Sequence, residues 1–335
     1  TYVTDPIRYT ITDGDGDTAS ATLSVQIGDT GPTIGYPGGD PNVAAPSVSV
    51  DEDDLAGGSD GSDPTTVNQP LAINFGEDGP AQDGAVTFSA TQSGLTGLTS
   101  GGQPVVVTVS ADGLTVTGTV GGSPVFTATI TDDGNGGYGY QFQLQGELDQ
   151  APGAGENATN LSFGIVAKDA DGSTVAGSFG VTVVDDVPTA NDDGGYQVEE
   201  GSNVITGNVM ANDVAGADGA QVTGLTYTDE NGQSATLAVP ATGTVTADTQ
   251  YGSITIDAAG NWTYTSDPSV NASGTVQDVI GYTITDGDGD TSSANLTVEI
   301  GDGVPTIGYP GGDPNVAAPS VSVDEDDLAG GSDGS

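Results

Sequence analysis

An all-β fold, a linear array of tandem Ig-like β-sandwich domains, is predicted by three features: strands with period-two alternation, frequent glycine turns and a long internal repeat. The alternation is plain in Leu114, Val116 and Val120 against Thr115, Thr117 and Thr119. It recurs in Tyr138, Tyr140, Phe142 and Leu144 against Gln141, Gln143 and Gln145. Successive side chains of a strand point to opposite faces, so such runs put one face in a core and the other in water. Ala111-Asp112-Gly113, Asp132-Asp133-Gly134-Asn135-Gly136 and Ala259-Gly260-Asn261 read as the turns between strands. Trp262, the only tryptophan, lies in a Tyr251–Tyr264 hairpin pattern, where a lone aromatic is read as core rather than as a sugar platform. No amphipathic helix is expected.

Residues 8–62 reappear as residues 281–335 at an offset of 273, with 48 of 55 positions identical. Thr22, Ser24 and Gln26 become Asn295, Thr297 and Glu299, whereas Leu23, Val25 and Ile27 recur as Leu296, Val298 and Ile300. Change confined to one face is the behaviour of a half-buried strand. The pattern Asp-x-x-Pro-Thr occurs at Asp29–Thr33, Asp185–Thr189 and Asp302–Thr306. Proline there ends the sheet bonding and stiffens the crossing. Residues 1–31 then read as the C-terminal part of one sandwich, 32–187 and 188–304 as two whole ones, and 305–335 as the start of another of the 32–187 type.

The 335 residues carry 48 acidic side chains against Arg8 and Lys168, with no histidine, for a formal charge of −46. That charge excludes nucleic acid and anionic membrane as partners and makes cations the natural ones. Hydrophobic residues make up 34% of the chain and alternate, which favours folded domains over a disordered acidic tail. With no cysteine there is no disulfide, thiolate nucleophile or zinc–thiolate site, and with no histidine the usual base is missing too. Paired carboxylates could serve glycoside hydrolysis only across a cleft, which acids at turns and junctions give no reason to expect. No enzyme is expected. No apolar run reaches the roughly 18 residues of a membrane span. Thr1 opens in mid-pattern, as expected of an excerpt from a longer chain.

Asp13-Gly-Asp15-Gly-Asp17 recurs as Asp286-Gly-Asp288-Gly-Asp290, with a relative at Asp169-Ala-Asp171-Gly. Carboxylates at alternate positions of a glycine-bearing turn can aim several oxygens at one hard cation, and a flexible loop suits calcium better than magnesium. The alternative is an Asp-Gly hairpin turn with solvated carboxylates. An EF-hand is excluded, since its twelfth position would be Ser24 or Thr297 instead of glutamate, and an RTX nonapeptide rhythm is absent. Further acids gather at the junctions as Asp185, Asp186, Asp192, Asp193, Glu199 and Glu200. Asp51-Glu52-Asp53-Asp54 is placed to reach back to the preceding junction, the alternative being a solvated acidic loop. Glu77, Asp78 and Asp83 form a looser group. Like charges within a Debye length of about 8 Å repel, and several bound divalent ions at turns and junctions would relieve what salt bridges cannot.

Gly207-Asn-Val-Met-Ala-Asn-Asp213, the Tyr251–Tyr264 hairpin and Tyr282-Thr-Ile-Thr-Asp-Gly-Asp-Gly-Asp290 together resemble the VCBS, or cadherin-like, repeats of large RTX adhesins. The resemblance covers residues 188–304 and 1–31. Residues 32–187, closing on Val181-Thr-Val-Val-Asp-Asp186, resemble the longer Ig-like repeats of the same type I-secreted proteins. It implies export to the bacterial cell surface, calcium-bound sandwiches, and a monomeric extender rod that stacks on neighbouring repeats of the same chain and projects a distal ligand-binding region for adhesion or biofilm formation. The ligands it implies are Asp286, Asp288, Asp290, Asp13, Asp15, Asp17, Asp29, Asp185, Asp186 and Asp302. A carbohydrate- or peptide-binding sandwich and a surface-layer unit are the alternative functions.

Overall fold

The computed structural model describes residues 2–35, 48–59, 61, 64–151, 155–269 and 274–302; the repeated head at 305–335 lies outside them. Among the described residues helix is confined to two 3-10 turns, Glu52–Asp54 and Val209–Ala211.

Two sandwiches follow one another. In the first, a five-stranded sheet runs in the order Val106–Val109, Thr115–Val120, Ser123–Asp132, Tyr138–Leu144, Thr66–Leu71. It faces a four-stranded sheet ordered Val48–Asp51, Thr174–Val184, Ala158–Lys168, Val86–Phe88. Phe163 anchors the space between them, its ring centroid 5.1 Å from Phe179, 5.8 Å from Phe142 and 6.0 Å from Phe126. Leu114, expected inside, is 37% exposed, because its strand begins one residue later. Gly118 then takes an inner position under Phe126, whose ring lies 2.4 Å from where a Cβ would stand.

The second sandwich pairs a five-stranded sheet (Asp193–Glu199, Thr291–Gly301, Val276–Thr285, Gln221–Thr228, Ser234–Ala238) with a four-stranded one (Val204–Asn208, Asn261–Ser266, Gly252–Asp257, Thr244–Asp248). Trp262 is core as expected, 2% exposed and edge-on to Tyr196 at 4.8 Å. Gly207 lies beneath its indole, where a Cβ would come within 2.5 Å of the ring.

A third element, the hairpin of Tyr2–Thr12 and Thr18–Gly28, pairs Tyr2 with Gly28 and Thr12 with Thr18 and leaves both faces exposed. Its Ile7, Tyr9, Ile11, Leu23, Val25 and Ile27 recur as Ile280, Tyr282, Ile284, Leu296, Val298 and Ile300, which are buried in the second sandwich.

Each sandwich ends on such a hairpin: Ala158–Lys168 with Thr174–Val184, then Val276–Thr285 with Thr291–Gly301. In each, the first strand of the two main sheets lies parallel to the last, with Val50 opposite Val183 and Val198 opposite Ile300, while in the first sandwich the short strand Thr33–Ile34 ahead of them pairs with Ile73–Asn74. This parallel register carries Glu52 to the same end of the first sandwich as Asp185.

Candidate metal centre

Among the described residues, the turns opening at Asp13, Asp133, Asp169, Asp229 and Asp286 share one local design. The opening aspartate donates its N–H to the carbonyl four residues on, at 3.0 Å in Asp13–Asp17, 3.1 Å in Asp169–Ser173 and 3.1 Å in Asp286–Asp290. Asp133–Gly137 and Asp229–Gln233 close in the same way at 2.9 and 2.8 Å. The Oδ1 of the opening aspartate accepts backbone amides inside the turn, for instance Ser173 N–H at 2.7 Å on Asp169 and Asp290 N–H at 2.8 Å on Asp286. The fourth residue is glycine throughout, with φ between 73° and 107°, a region that side chains disfavour. The opening aspartate is therefore first a turn-builder. What separates the Asp13, Asp169 and Asp286 turns from the other two is a second carboxylate at the third position.

Two of these turns meet acids from elsewhere in the fold. At the first seam Asp29, Asp78, Asp169 and Asp171 bring one carboxylate oxygen each within 4.8 Å of one another. At the second seam Asp185, Asp218 and Asp288 do the same, and Asp288 also belongs to an equally tight group with Asp286 and Asp290. Each seam combines a linker aspartate (29 or 185), the closing-hairpin turn of the next sandwich, and an aspartate from a Gly-x-Asp-Gly loop of that sandwich, Gly76–Gly79 or Gly216–Gly219. Asp13, Asp15 and Asp17 cluster as well, but in the exposed turn of the N-terminal hairpin.

The electrostatics of the second seam are one-sided. Burial, then the carboxylates of Asp288, Asp218, Asp290 and Asp286, pushes Asp185 up to about 8. Burial and Asp288 push Asp218 up to about 7, and burial with the hydrogen bond to Asp288 raises Asp286 to about 6. Glu52 is fully buried, and burial lifts it to about 9 although Leu148 N–H (2.9 Å) and Gln150 Nε2 (3.2 Å) donate to its Oε1. At the first seam burial, with Asp171 adjoining, raises Asp169.

A hard cation fits this donor set. Both oxygens of Asp185 and Asp290, Asp218 Oδ1, Asp286 Oδ2, Asp288 Oδ1, Glu52 Oε2 and Gln150 Oε1 are buried without a hydrogen-bond partner, as are Asp29 Oδ1 and Asp169 Oδ2 at the first seam. Burying an uncompensated carboxylate costs several kcal/mol. Oxygen-only, largely anionic donors on flexible turns match calcium-type coordination, not a nitrogen- or sulfur-preferring metal.

The remaining sequence candidates divide. Glu52 sits at the second seam, the one that follows its sandwich, instead of reaching back to the first. Asp51 caps the 3-10 turn through Asp53 N–H (3.3 Å) and lies beside Val184; Asp53 is in the same turn. Asp186 is a protein-to-protein strut: it accepts Ser59 Oγ at 2.6 Å, Ser59 N–H at 3.1 Å and Ala217 N–H at 2.8 Å. Asp192 accepts Asn295 N–H at 2.9 Å, and Asp193 accepts Tyr282 Oη at 3.0 Å, on the flank of the second sandwich. Glu199 and Asp302 are exposed at its far end. Asp218 escaped the sequence reading and Asp78 was only loosely grouped; both stand in a Gly-x-Asp-Gly pattern, which Gly58–Gly61 shares.

Asp186→Ala deletes three hydrogen bonds that span Ser59 and Ala217, with an expected cost of about 2–4 kcal/mol. Its expected signature is faster proteolysis near residue 186 in chelator, with calcium stoichiometry by calorimetry unchanged.

Residues 185–302 match the family model of the bacterial cadherin-like domain. The similarity to that domain extends over 118 of the 335 residues. The match runs from one linker aspartate, Asp185, to the next, Asp302, so the matched stretch includes the Asp286–Asp290 turn and the Asp218 loop. Among solved structures the chain resembles domains EC1–3 of protocadherin gamma C5, with 12% identity, 90% of this chain and 77% of that one covered, and a TM-score of 0.30. It also resembles Drosophila N-cadherin EC1–4, with 11% identity, 91% and 58% covered, and a TM-score of 0.25. A tetra-tandem repeat in the extending region of a large adhesion protein matches with 15% identity, 89% and 57% covered, and a TM-score of 0.27. No curated protein sequence matches the chain.

Proposed function

We propose that this chain is a calcium-stiffened spacer segment of a bacterial cell-surface adhesin of the RTX type, exported by type I secretion and acting as a monomeric rod between the cell and a distal binding region. The observation that carries the reading is the second seam, where acids of two sandwiches converge with no lysine or arginine to neutralise them. Glu52, Asp185, Asp218, Asp286, Asp288 and Asp290 are the residues that hold calcium there; Asp29, Asp78, Asp169 and Asp171 hold it at the first seam. The bound ion supplies positive charge. The chain's residues supply the joint: linker aspartates fix the exit of one sandwich, and the hairpin turn with the Gly-x-Asp-Gly loop fixes the entry of the next. In chelator the carboxylates repel and each seam becomes a hinge. The match to a cadherin-like domain and the 273-residue repeat support an adhesion-type extracellular array.

Small-angle scattering on the full chain tests this. A longer maximum dimension and a rod-like profile are expected in millimolar calcium, and a shorter, broader distribution in chelator. Equal dimensions in the two states overturn the proposal.

A further inference from the structure

The chain contains two Asn-Gly pairs, Asn135-Gly136 and Asn231-Gly232, and both fall at the third and fourth positions of the shared aspartate turn. These are the positions that Asp171-Gly172 and Asp288-Gly289 occupy at the seams. Both asparagines are exposed, and both following glycines have positive φ, 88° and 73°. With no side chain on the following residue, the peptide nitrogen reaches the asparagine Cγ at little steric cost.

We infer that Asn135 is a site of spontaneous deamidation, which converts the Asp133–Gly137 turn into an Asp-x-Asp-Gly turn of the kind found at the seams. The Gly136 nitrogen attacks Asn135 Cγ and a C–N bond forms. The bond from Cγ to Nδ2 breaks, and ammonia leaves with the proton from Gly136. Water then opens the five-membered imide at one of its two carbonyls, giving aspartate or isoaspartate. No electron is gained or lost.

The two turns differ at the attacking atom. The Gly232 N–H is engaged with Asp229 O at 2.9 Å. The Gly136 N–H makes no hydrogen bond among the described residues, while Asn135 is held over the turn by its own N–H on Asp133 Oδ1 at 2.7 Å and its Nδ2 on Asp133 O at 3.2 Å. Freeing the Gly232 nitrogen costs a backbone hydrogen bond, whose net worth of about 1 kcal/mol is a rate factor of roughly five. Local sequence alone ranks the pairs together; the folded turns put Asn135 first.

The test incubates the full chain at mildly alkaline pH and follows each asparagine by peptide mapping and mass spectrometry, folded in calcium and unfolded in urea. Asn135 should convert several-fold faster than Asn231 when folded, both ahead of the other asparagines, and the two rates should converge in urea. Asn231 converting first, equal folded rates, or a ratio that persists in urea overturns the assignment. N135D supplies the reference charge and mass for the product.

Discussion

In chelator, the folded chain should lose stability as pH rises from about 5 to 8, and calcium should restore it most strongly at the alkaline end. The sign follows from the buried acids. Glu52 at about 9, Asp185 at about 8, Asp218 at about 7 and Asp286 at about 6 all lie above ordinary carboxylate values in the metal-free fold. Between the unfolded value near 4 and these raised ones, the folded chain holds protons that the unfolded chain releases, so stability falls with increasing pH. The contribution is fully present below the unfolded value and lost as each folded value is passed. For fully buried Glu52 the penalty is on the order of 5 kcal/mol; Asp185, Asp218 and Asp286 add to it in the same direction. Calcium at 1,000 times its dissociation constant offsets about 4 kcal/mol per site. Thermal melts by circular dichroism at several pH values should show the chelated midpoint dropping on the order of 20 °C and the calcium-loaded midpoint nearly level. Superimposable melts in chelator and calcium at pH 8 would contradict the account.

The second large effect is expected from Asp288→Asn. Asp288 belongs to both acidic groups of the second seam, and its Oδ2 accepts the Gln150 N–H of the first sandwich at 3.1 Å. Neutralising it weakens every cation position there at once. Calcium affinity at that seam should fall on the order of 100-fold, about 3 kcal/mol, with the first seam unaffected. Calorimetry on the full chain should resolve the loss of one class of sites. Asp15→Asn is the control, because its turn is exposed and gathers no linker or loop acid; comparable losses in the two variants would remove Asp288 from its shared position.

Much of the fold was legible because its signals are local. Alternation placed Phe142, Trp262 and Leu296 in cores, and the one-sided drift between Thr22–Gln26 and Asn295–Glu299 identified the buried face before any coordinates. The aspartate turns were equally legible. What sequence could not give was which end of a sandwich each acid reaches. Glu52 follows a short strand, and only the parallel pairing of Val50 with Val183 turns it toward the second seam. Asp186 and Asp185 are adjacent acids with opposite fates, one saturated by Ser59 and Ala217, the other buried with both oxygens unpartnered. No composition rule separates them. Asp218 stands singly in its loop and Asp78 lies in a loose acidic group with Glu77 and Asp83, and the Gly-x-Asp-Gly pattern alone does not single them out because Gly58–Gly61 has it too.

The parallel pairing has a mechanical side. A pull that reaches the parallel pairs draws Val48–Asp51 and Val181–Val184 past each other, and likewise Tyr196–Glu199 and Val298–Gly301. Their hydrogen bonds run across the strands and are loaded together in shear instead of opening one after another like a zip. A chain paired this way resists most strongly a pull that slides those strands past each other.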